Sequence, residues 1–236
     1  MNIDNIKLGF STGTLHKTHS TKEALKIMRS LGYDTVELGF VNFQRIKDGW
    51  LDEISAEDLI GFKYVSLHAP KLNYGNNSDT ELIFEKIGKI NKIRKLDTVV
   101  FHPDPVEDFN VFKNVKFSVS FENMDDKKVS HQKPKDFEKI FPLSAEYRLV
   151  LDVNHIYTND KSMKLAERFY EKFGDRISQF HVSGYTGYHD PLFKTGQTEI
   201  VKAISDFNIP MIIESVISAE DLEKERNCII KLISGL

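Results

Sequence analysis

Short apolar runs rich in β-formers alternate with longer amphipathic segments along the chain. A strand pattern followed by a helical pattern, repeated, is typical of parallel strands joined by crossover helices. We count eight strand runs, at residues 6–10, 35–40, 64–68, 98–102, 117–122, 149–152, 177–181 and 210–214. Most are separated by roughly 30 residues, the usual length of a βαβ unit. Eight runs favour an α/β fold closed into a (β/α)8 TIM barrel, with a doubly wound open sheet as the competing architecture.

The segments between the runs show helical periodicity, most clearly at residues 21–31, 80–95 and 163–173. A last helix is predicted to begin near Ser218, where Ser218-Ala219-Glu220-Asp221 resembles a capping box. The gap between the fourth and fifth runs is short, so its helix is expected to be reduced to a turn or lost. No linker or composition break divides the chain, and we predict a single domain over residues 1–236.

Composition excludes few function classes. The net charge of -3 gives no general attraction to nucleic acid or to anionic membranes, although it does not exclude a local basic groove. Cys228 is the single cysteine, so neither an internal disulfide nor a cysteine zinc cluster is expected. The first residues contain no basic region followed by an apolar run, so we expect a cytoplasmic protein without a membrane partner. The sequence specifies no oligomeric state.

Six consecutive runs end in a side chain that can bind a metal. These side chains are His68, His102, Glu122, Asp152, His181 and Glu214, and His155 follows three residues after Asp152. The carboxyl ends of barrel strands meet in one mouth, where this fold places its chemistry. Because side chains alternate along a strand, Glu122 shares its face with Ser120, while Phe121 points to the helices. Glu122 is therefore predicted to point into the mouth.

Each residue alone has a simpler interpretation, since a strand-end histidine is often a hydrogen-bonded structural residue and a carboxylate there is usually solvated. Six in one mouth favour a metal, because clustered carboxylates repel one another unless a cation neutralises them. Mixed histidine and carboxylate ligands suit Zn²⁺, Mn²⁺, Fe²⁺ or Co²⁺ better than Ca²⁺. His16, His19 and His131 are expected at the surface. The basic stretch 127–135 is either a solvated loop or an overhang of the mouth.

The order and spacing of seven short motifs resemble the xylose isomerase-like barrel superfamily, which includes endonuclease IV and sugar epimerases. The resemblance spans nearly the whole chain and rests on the motifs together rather than on any one. They are Val36-Glu37-Leu38-Gly39, Ser66-Leu67-His68-Ala69-Pro70, Val100-Phe101-His102-Pro103, Phe121-Glu122-Asn123-Met124, Leu151-Asp152-Val153-Asn154-His155, Phe180-His181-Val182-Ser183 and Ile213-Glu214-Ser215.

This resemblance implies one to three divalent metal ions. The site common to both branches would consist of Glu122, Asp152, His181 and Glu214. In the endonuclease IV pattern, His68 and His102 would hold a second ion that shares Glu122. A third ion would use His155 and the histidine of a D-x-H element, which here reads Gly187-Tyr188-His189. The aspartate of this element is replaced by Gly187, and Asp190, adjacent to His189, is the candidate substitute. This departure puts the third ion in doubt.

Two functions follow from the resemblance. The first is a metal-dependent isomerase or epimerase of a sugar or sugar phosphate, working through an enediolate, with Glu122, Glu214 and His155 as the candidate catalytic groups. The alternative is an endonuclease IV-like phosphodiesterase acting on abasic DNA, towards which His68 and His102 point. The short, acidic chain favours the sugar. A barrel that binds metal without turnover is a third possibility.

Overall fold

The eight strands form a closed parallel barrel in which each strand pairs with the next along the chain and β8 pairs with β1. The computed structural model describes residues 6–235, so residues 1–5 and 236 of the predicted domain lie outside the described residues. The strands are β1 (Leu8–Ser11), β2 (Thr35–Gly39), β3 (Tyr64–His68), β4 (Thr98–Phe101), β5 (Val119–Glu122), β6 (Arg148–Asp152), β7 (Ile177–Val182) and β8 (Met211–Ile213). The predicted (β/α)8 barrel is therefore confirmed, and the open sheet is excluded.

Helices surround the barrel in most of the connections. They are α1 (Thr21–Ser30), α2 (Phe43–Lys47), α3 (Ala56–Leu59), α4 (Ser78–Ile93), α5 (Val153–Asn159), α6 (Lys164–Phe173), α7 (Leu192–Thr195), α8 (Thr198–Lys202) and α9 (Leu222–Ser234). Between β4 and β5 the described chain forms only a 3₁₀ turn, Phe109–Asn114, as the short gap predicted. None of the described helices is long and apolar enough to cross a membrane.

Local sequence explains where the helices begin. Ser20 and Glu23 form a reciprocal capping box that starts α1, because each side chain accepts a hydrogen bond from the other residue's backbone N–H. The capping box predicted at Ser218 is wrong. That residue makes no capping hydrogen bond, and a 3₁₀ turn, Ala219–Asp221, precedes α9.

The two faces of the strands differ in chemistry. Outward-facing apolar side chains such as Leu38, Leu67 and Phe121 are fully buried against the helices, and each contributes about 1.5–3 kcal/mol to folding. The inner face carries polar side chains that are equally buried, among them Glu37 and Gln179. Barrel interiors are usually filled by branched apolar residues. A buried polar interior requires internal hydrogen bonds and is expensive without them, so its residues are candidates for function.

Candidate metal centre

Glu122, the last residue of β5, is the hub of the barrel mouth. Its side chain is 1% exposed and contacts three histidines. Oε1 lies 2.6 Å from His181 Nδ1, while Oε2 lies 2.9 Å from His102 Nε2 and 3.3 Å from His68 Nε2. The ends of β3, β4, β5 and β7 thus meet at one carboxylate. Glu122 points into the mouth, as the alternation of side chains along β5 predicted.

Four side chains from β5 to the end of β8 form a first potential ligand set. Each of them offers a nitrogen or oxygen atom, and these atoms all lie within 4.8 Å of one another. Glu122 and Asp152 are the last residues of β5 and β6. His181 is the last but one residue of β7, and Glu214 is the first residue after β8. Such a set, with three carboxylates and one imidazole, suits a divalent transition metal.

A second potential set shares Glu122. His68 and His102 each offer one ring nitrogen within 4.8 Å of a Glu122 oxygen and of each other. The Nδ1–H group of His68 donates to the Ala69 carbonyl over 3.1 Å, which leaves Nε2 as the nitrogen that faces the mouth. The Nε2 atoms of the two rings lie 3.2 Å apart. Two ring nitrogens and a shared carboxylate at this spacing fit a second ion that lies beside the first.

Hydrogen bonds fix the backbone and one side-chain oxygen of Asp152, as is usual for a carboxylate that binds a metal. The Asn123 side chain accepts from the Asp152 backbone N–H at 2.7 Å and donates to its carbonyl at 3.0 Å. Asp152 Oδ1 accepts from the backbone N–H groups of Asn154 and His155. Oδ2 is buried without a hydrogen-bond partner among the described residues, and its ion-pair contact with His155 Nε2 is long, at 3.4 Å. A buried carboxylate oxygen left unpaired is costly, and a cation in the first set would compensate it. The residues present therefore fit a metal.

The carboxylates of the first set oppose one another's ionisation. Burial, together with the charges of Glu122, Asp152 and Glu37, raises the pKa of Glu214 to about 7 against the attraction of His181. Burial and the charge of Glu122 raise the pKa of Asp152 despite the attraction of His155. A bound dication would favour the charged forms, so we expect metal binding to release protons and to weaken as the pH falls below about 7.

Glu122 and the histidines of the second set are tightly coupled. Burial alone would raise the pKa of Glu122, but His181 and the hydrogen bonds of His102 and His181 hold it well below its ordinary value. Burial would lower the pKa of His68, yet Glu122 raises it to about 9. The pKa of His102 falls to about 4, mainly through burial. Histidines kept neutral are the ones that ligate metals directly, and His102 already meets that condition.

The residues proposed for a third ion are close together but incomplete. The rings of His155 and His189 have centroids 5.8 Å apart. No set of three candidate ligands within residues 6–235 includes either of them. Asp190 does not substitute for the aspartate absent at Gly187, because its Oδ2 accepts from the backbone N–H and the hydroxyl of Thr186. A weak or empty third site stays a prediction.

Some residues at the mouth were not singled out from the sequence. Glu37 belongs to the motif Val36-Glu37-Leu38-Gly39. Only the structure shows that its side chain is fully buried and that its Oε2 lies 3.2 Å from His181 Nε2. Alternation along β2 points Glu37 away from Val36 and Leu38, which is the sequence signal for its place in the barrel interior. His16 is half-buried and lines the mouth instead of lying at the surface as predicted.

The mouth opens into a cavity of about 590 Å³, a size typical of small-molecule sites. Glu122, Glu214 and His155 all line it. Four cationic side chains line the same cavity, namely Arg45, Lys71, Lys127 and Lys128. The last two belong to the basic stretch 127–135, which therefore overhangs the mouth at its start. The chain is acidic overall, yet the rim of its cavity is basic.

Comparison with known proteins identifies the fold. No protein-family model and no curated protein matches the chain. Among solved structures, a D-tagatose 3-epimerase-like protein is 16% identical with a TM-score of 0.70, over 97% of each chain. The IOLI protein with a binding zinc atom is 16% identical with a TM-score of 0.65, over 98% of this chain and 99% of that one. AP endonuclease, family 2, from Brucella melitensis is 11% identical with a TM-score of 0.60, over 92% and 96%. The fold is that of the xylose isomerase-like TIM barrels.

Proposed function

We propose that this xylose isomerase-like barrel is a divalent-metal-dependent isomerase or epimerase that acts on a small sugar phosphate. The observation that carries the proposal is the convergence of two carboxylates of the cavity lining on one histidine. Glu122 Oε1 and Glu214 Oε2 lie 2.6 and 3.5 Å from the same atom, His181 Nδ1. A hydroxy-carbonyl substrate bound beside them would contact both the potential metal ligands and a carboxylate that can accept a proton.

Glu122, Asp152, His181 and Glu214 would hold the principal metal ion. Such an ion acts as a Lewis acid that polarises a carbonyl oxygen and so acidifies the hydrogen on the neighbouring carbon. The protein contributes the fixed positions of the ligands. Asn123 clamps the backbone of Asp152, and this support reduces the reorganisation that substrate binding would otherwise require.

Glu214 is the proposed base. Its side chain is 16% exposed and faces the cavity, whereas Glu122 is 1% exposed and surrounded by histidines. Without a metal, burial and the neighbouring carboxylates raise the pKa of Glu214 to about 7. A bound dication would favour the ionised carboxylate, which is the form that can accept a proton. Glu214 would take the carbon-bound proton, and the electron pair left behind would form the carbon–carbon double bond of an enediolate. Return of a proton to the other face gives an epimer, and return to the neighbouring carbon gives an isomer.

Glu122 and His155 have supporting roles in this proposal. Glu122 would flank the substrate together with Glu214, and it is the group that would exchange a proton at the other face of the substrate. The Nδ1–H group of His155 donates to the Asn123 carbonyl over 2.7 Å. His155 Nε2 is therefore the nitrogen that can accept a hydrogen bond from a substrate hydroxyl, or donate one when the ring is protonated.

The cationic rim favours a phosphorylated substrate over a neutral sugar. Lys128 pairs with Asp104 over 2.7 Å, and Lys127 donates to the Gly187 carbonyl over 3.1 Å. Within the described part of the chain, no carboxylate pairs with Arg45 or Lys71. The Arg45 guanidinium is held over the Trp50 ring, 4.8 Å from its centroid. Two uncommitted cations beside a small cavity suit the anionic end of a short substrate.

One observation favours the alternative, a phosphodiesterase acting on abasic DNA. The set of His68, His102 and Glu122 gives the mouth a second metal position, and paired metals stabilise both the attacking and the leaving oxygen in phosphoryl chemistry. A nuclease must also neutralise many backbone phosphates. The basic rim has four cationic residues around a cavity of about 590 Å³, which suits one small ligand better than a duplex.

The test is solvent exchange. With Zn²⁺ or Mn²⁺ added, we expect the protein to catalyse exchange of a carbon-bound hydrogen with deuterium in at least one ketose phosphate, measured by NMR in D₂O. We expect weaker exchange in the matching unphosphorylated ketose. A parallel assay with an abasic duplex should give slow or no incision and weak, salt-sensitive binding. Efficient incision that is lost in Glu122→Gln, without exchange in any sugar, would promote the alternative.

A further inference from the structure

The barrel interior contains a carboxylate that lies behind the first ligand set. Glu37 of β2 is fully buried, and its Oε2 lies 3.2 Å from His181 Nε2. The opposite nitrogen of the same ring, Nδ1, faces Glu122 and Glu214. The imidazole thus lies between ligand carboxylates on one side and Glu37 on the other.

Neighbouring side chains hold Glu37 in this orientation. Ser66 Oγ donates to Glu37 Oε2 over 3.0 Å, and Gln179 Nε2 donates to it over 2.7 Å. The Tyr64 hydroxyl donates to Gln179 Oε1 over 2.9 Å, which fixes the Gln179 amide with its nitrogen towards Glu37. That nitrogen also lies 2.7 Å from His181 Nε2. In the ring form without a proton on Nε2, this amide can donate to Nε2. When Nε2 carries the proton, Glu37 is the acceptor within reach, because an amide nitrogen does not accept.

We infer that Glu37 is a positioning residue that fixes the tautomer and orientation of His181 for metal binding, an inference that rests on the metal centre of the proposed function. A ring nitrogen that binds a metal carries no proton. With Nδ1 committed to the metal, the remaining proton is on Nε2 and is donated to Glu37. A carboxylate acceptor behind a histidine ligand sets the ring orientation and strengthens the nitrogen as a donor to the metal.

The cost of burying Glu37 supports a functional role. Its second oxygen, Oε1, is buried without a hydrogen-bond partner among the described residues. A carboxylate enclosed in a barrel and only partly paired is unfavourable for folding. Glutamine has nearly the same shape and no charge. If residue 37 contributed only to the stability of the fold, glutamine at this position would stabilise it as well as glutamate.

The experiment compares zinc affinity in three proteins by competition with a chromophoric chelator. We expect Glu37→Gln to bind Zn²⁺ roughly 10- to 100-fold more weakly than the wild type, the usual range for loss of such a support. The matched control is Thr98→Val, which removes a buried hydrogen bond to Ser120 inside the same barrel and leaves Glu37, Gln179 and His181 unchanged. Its zinc affinity should equal that of the wild type. Melting temperatures of the zinc-free proteins verify that both variants fold.

A second measurement needs no variant. In the ¹⁵N NMR spectrum of the zinc-loaded wild type, the ring proton of His181 should be on Nε2 and exchange slowly with solvent. A proton on Nδ1, or wild-type zinc affinity in a folded Glu37→Gln protein, would overturn the inference and leave the metal centre intact. Failure of the wild type to bind zinc at all would overturn both.

Discussion

Glu122→Gln is expected to lose metal at the two potential ligand sets that contain Glu122. The carboxylate joins His181 on one side to His68 and His102 on the other. The amide that replaces it presents a single neutral oxygen and an NH₂ group that repels a cation. Loss of a direct ligand should exceed the loss seen for supporting residues, so we expect zinc affinity to fall by more than about 100-fold. Sugar exchange should fall with it. Chelator competition and elemental analysis measure the first effect, and NMR in D₂O the second.

A matched control separates this effect from a general change of charge in the cavity. Asp125 also lines the cavity, but it belongs to none of the ligand sets within the described residues. Its Oδ1 accepts from the Lys127 backbone N–H over 2.9 Å. Asp125→Asn makes the same change from carboxylate to amide, and metal content should stay at the wild-type value. Equal metal content in folded Glu122→Gln and the wild type would show that Glu122 is no ligand.

Glu214→Gln is expected to separate catalysis from metal binding. The variant removes the proposed base, and loss of a general base typically slows a reaction by roughly 10²- to 10⁴-fold. Glu214 is also one of four ligands in the first set, so metal affinity should fall there. The second set, which consists of His68, His102 and Glu122, does not include it. We therefore expect exchange to disappear even at metal concentrations that load the variant.

The exchange rates of Glu214→Gln and of the wild type should be compared at saturating metal concentration. The metal content of each protein should be measured in the same sample. Under those conditions a metal-loaded Glu214→Gln protein that still exchanges its substrate at the wild-type rate would assign the base to another group. Glu122 and His155 are then the next candidates, because both line the same cavity.

The barrel and the meeting of the potential ligands in its mouth were predictable for the same reason. A strand has a period of two, so the face that each residue takes follows from its neighbours. Phe121 against the helices places Glu122 in the mouth, and both positions are observed. The ends of parallel strands also lie at one level of a barrel. Ligands at successive strand ends, such as Asp152 and His181, are therefore neighbours, and they form a register pair in the sheet.

Other features depended on contacts that no local pattern encodes. The place of Glu37 behind His181 joins β2 to β7 across the barrel interior, 144 residues apart in sequence. Asp190 was a candidate ligand by adjacency alone, and its carboxylate instead closes a loop with Thr186. The rim cations lie in loops after different strands. Loop conformation depends on specific hydrogen bonds rather than on periodicity, so their meeting at one cavity had to be observed.

Anomalous diffraction from crystals grown with Zn²⁺ tests the metal centre most directly. We predict a strong peak within bonding distance of Glu122, Asp152, His181 and Glu214, and a second peak beside His68 and His102 that shares Glu122. His155 and His189 should hold no ion of comparable occupancy, since their aspartate is a glycine, Gly187. Zinc–ligand distances of about 2.0–2.2 Å identify true coordination. Crystals soaked at saturating Zn²⁺ that show no peak in contact with Glu122 would contradict the account.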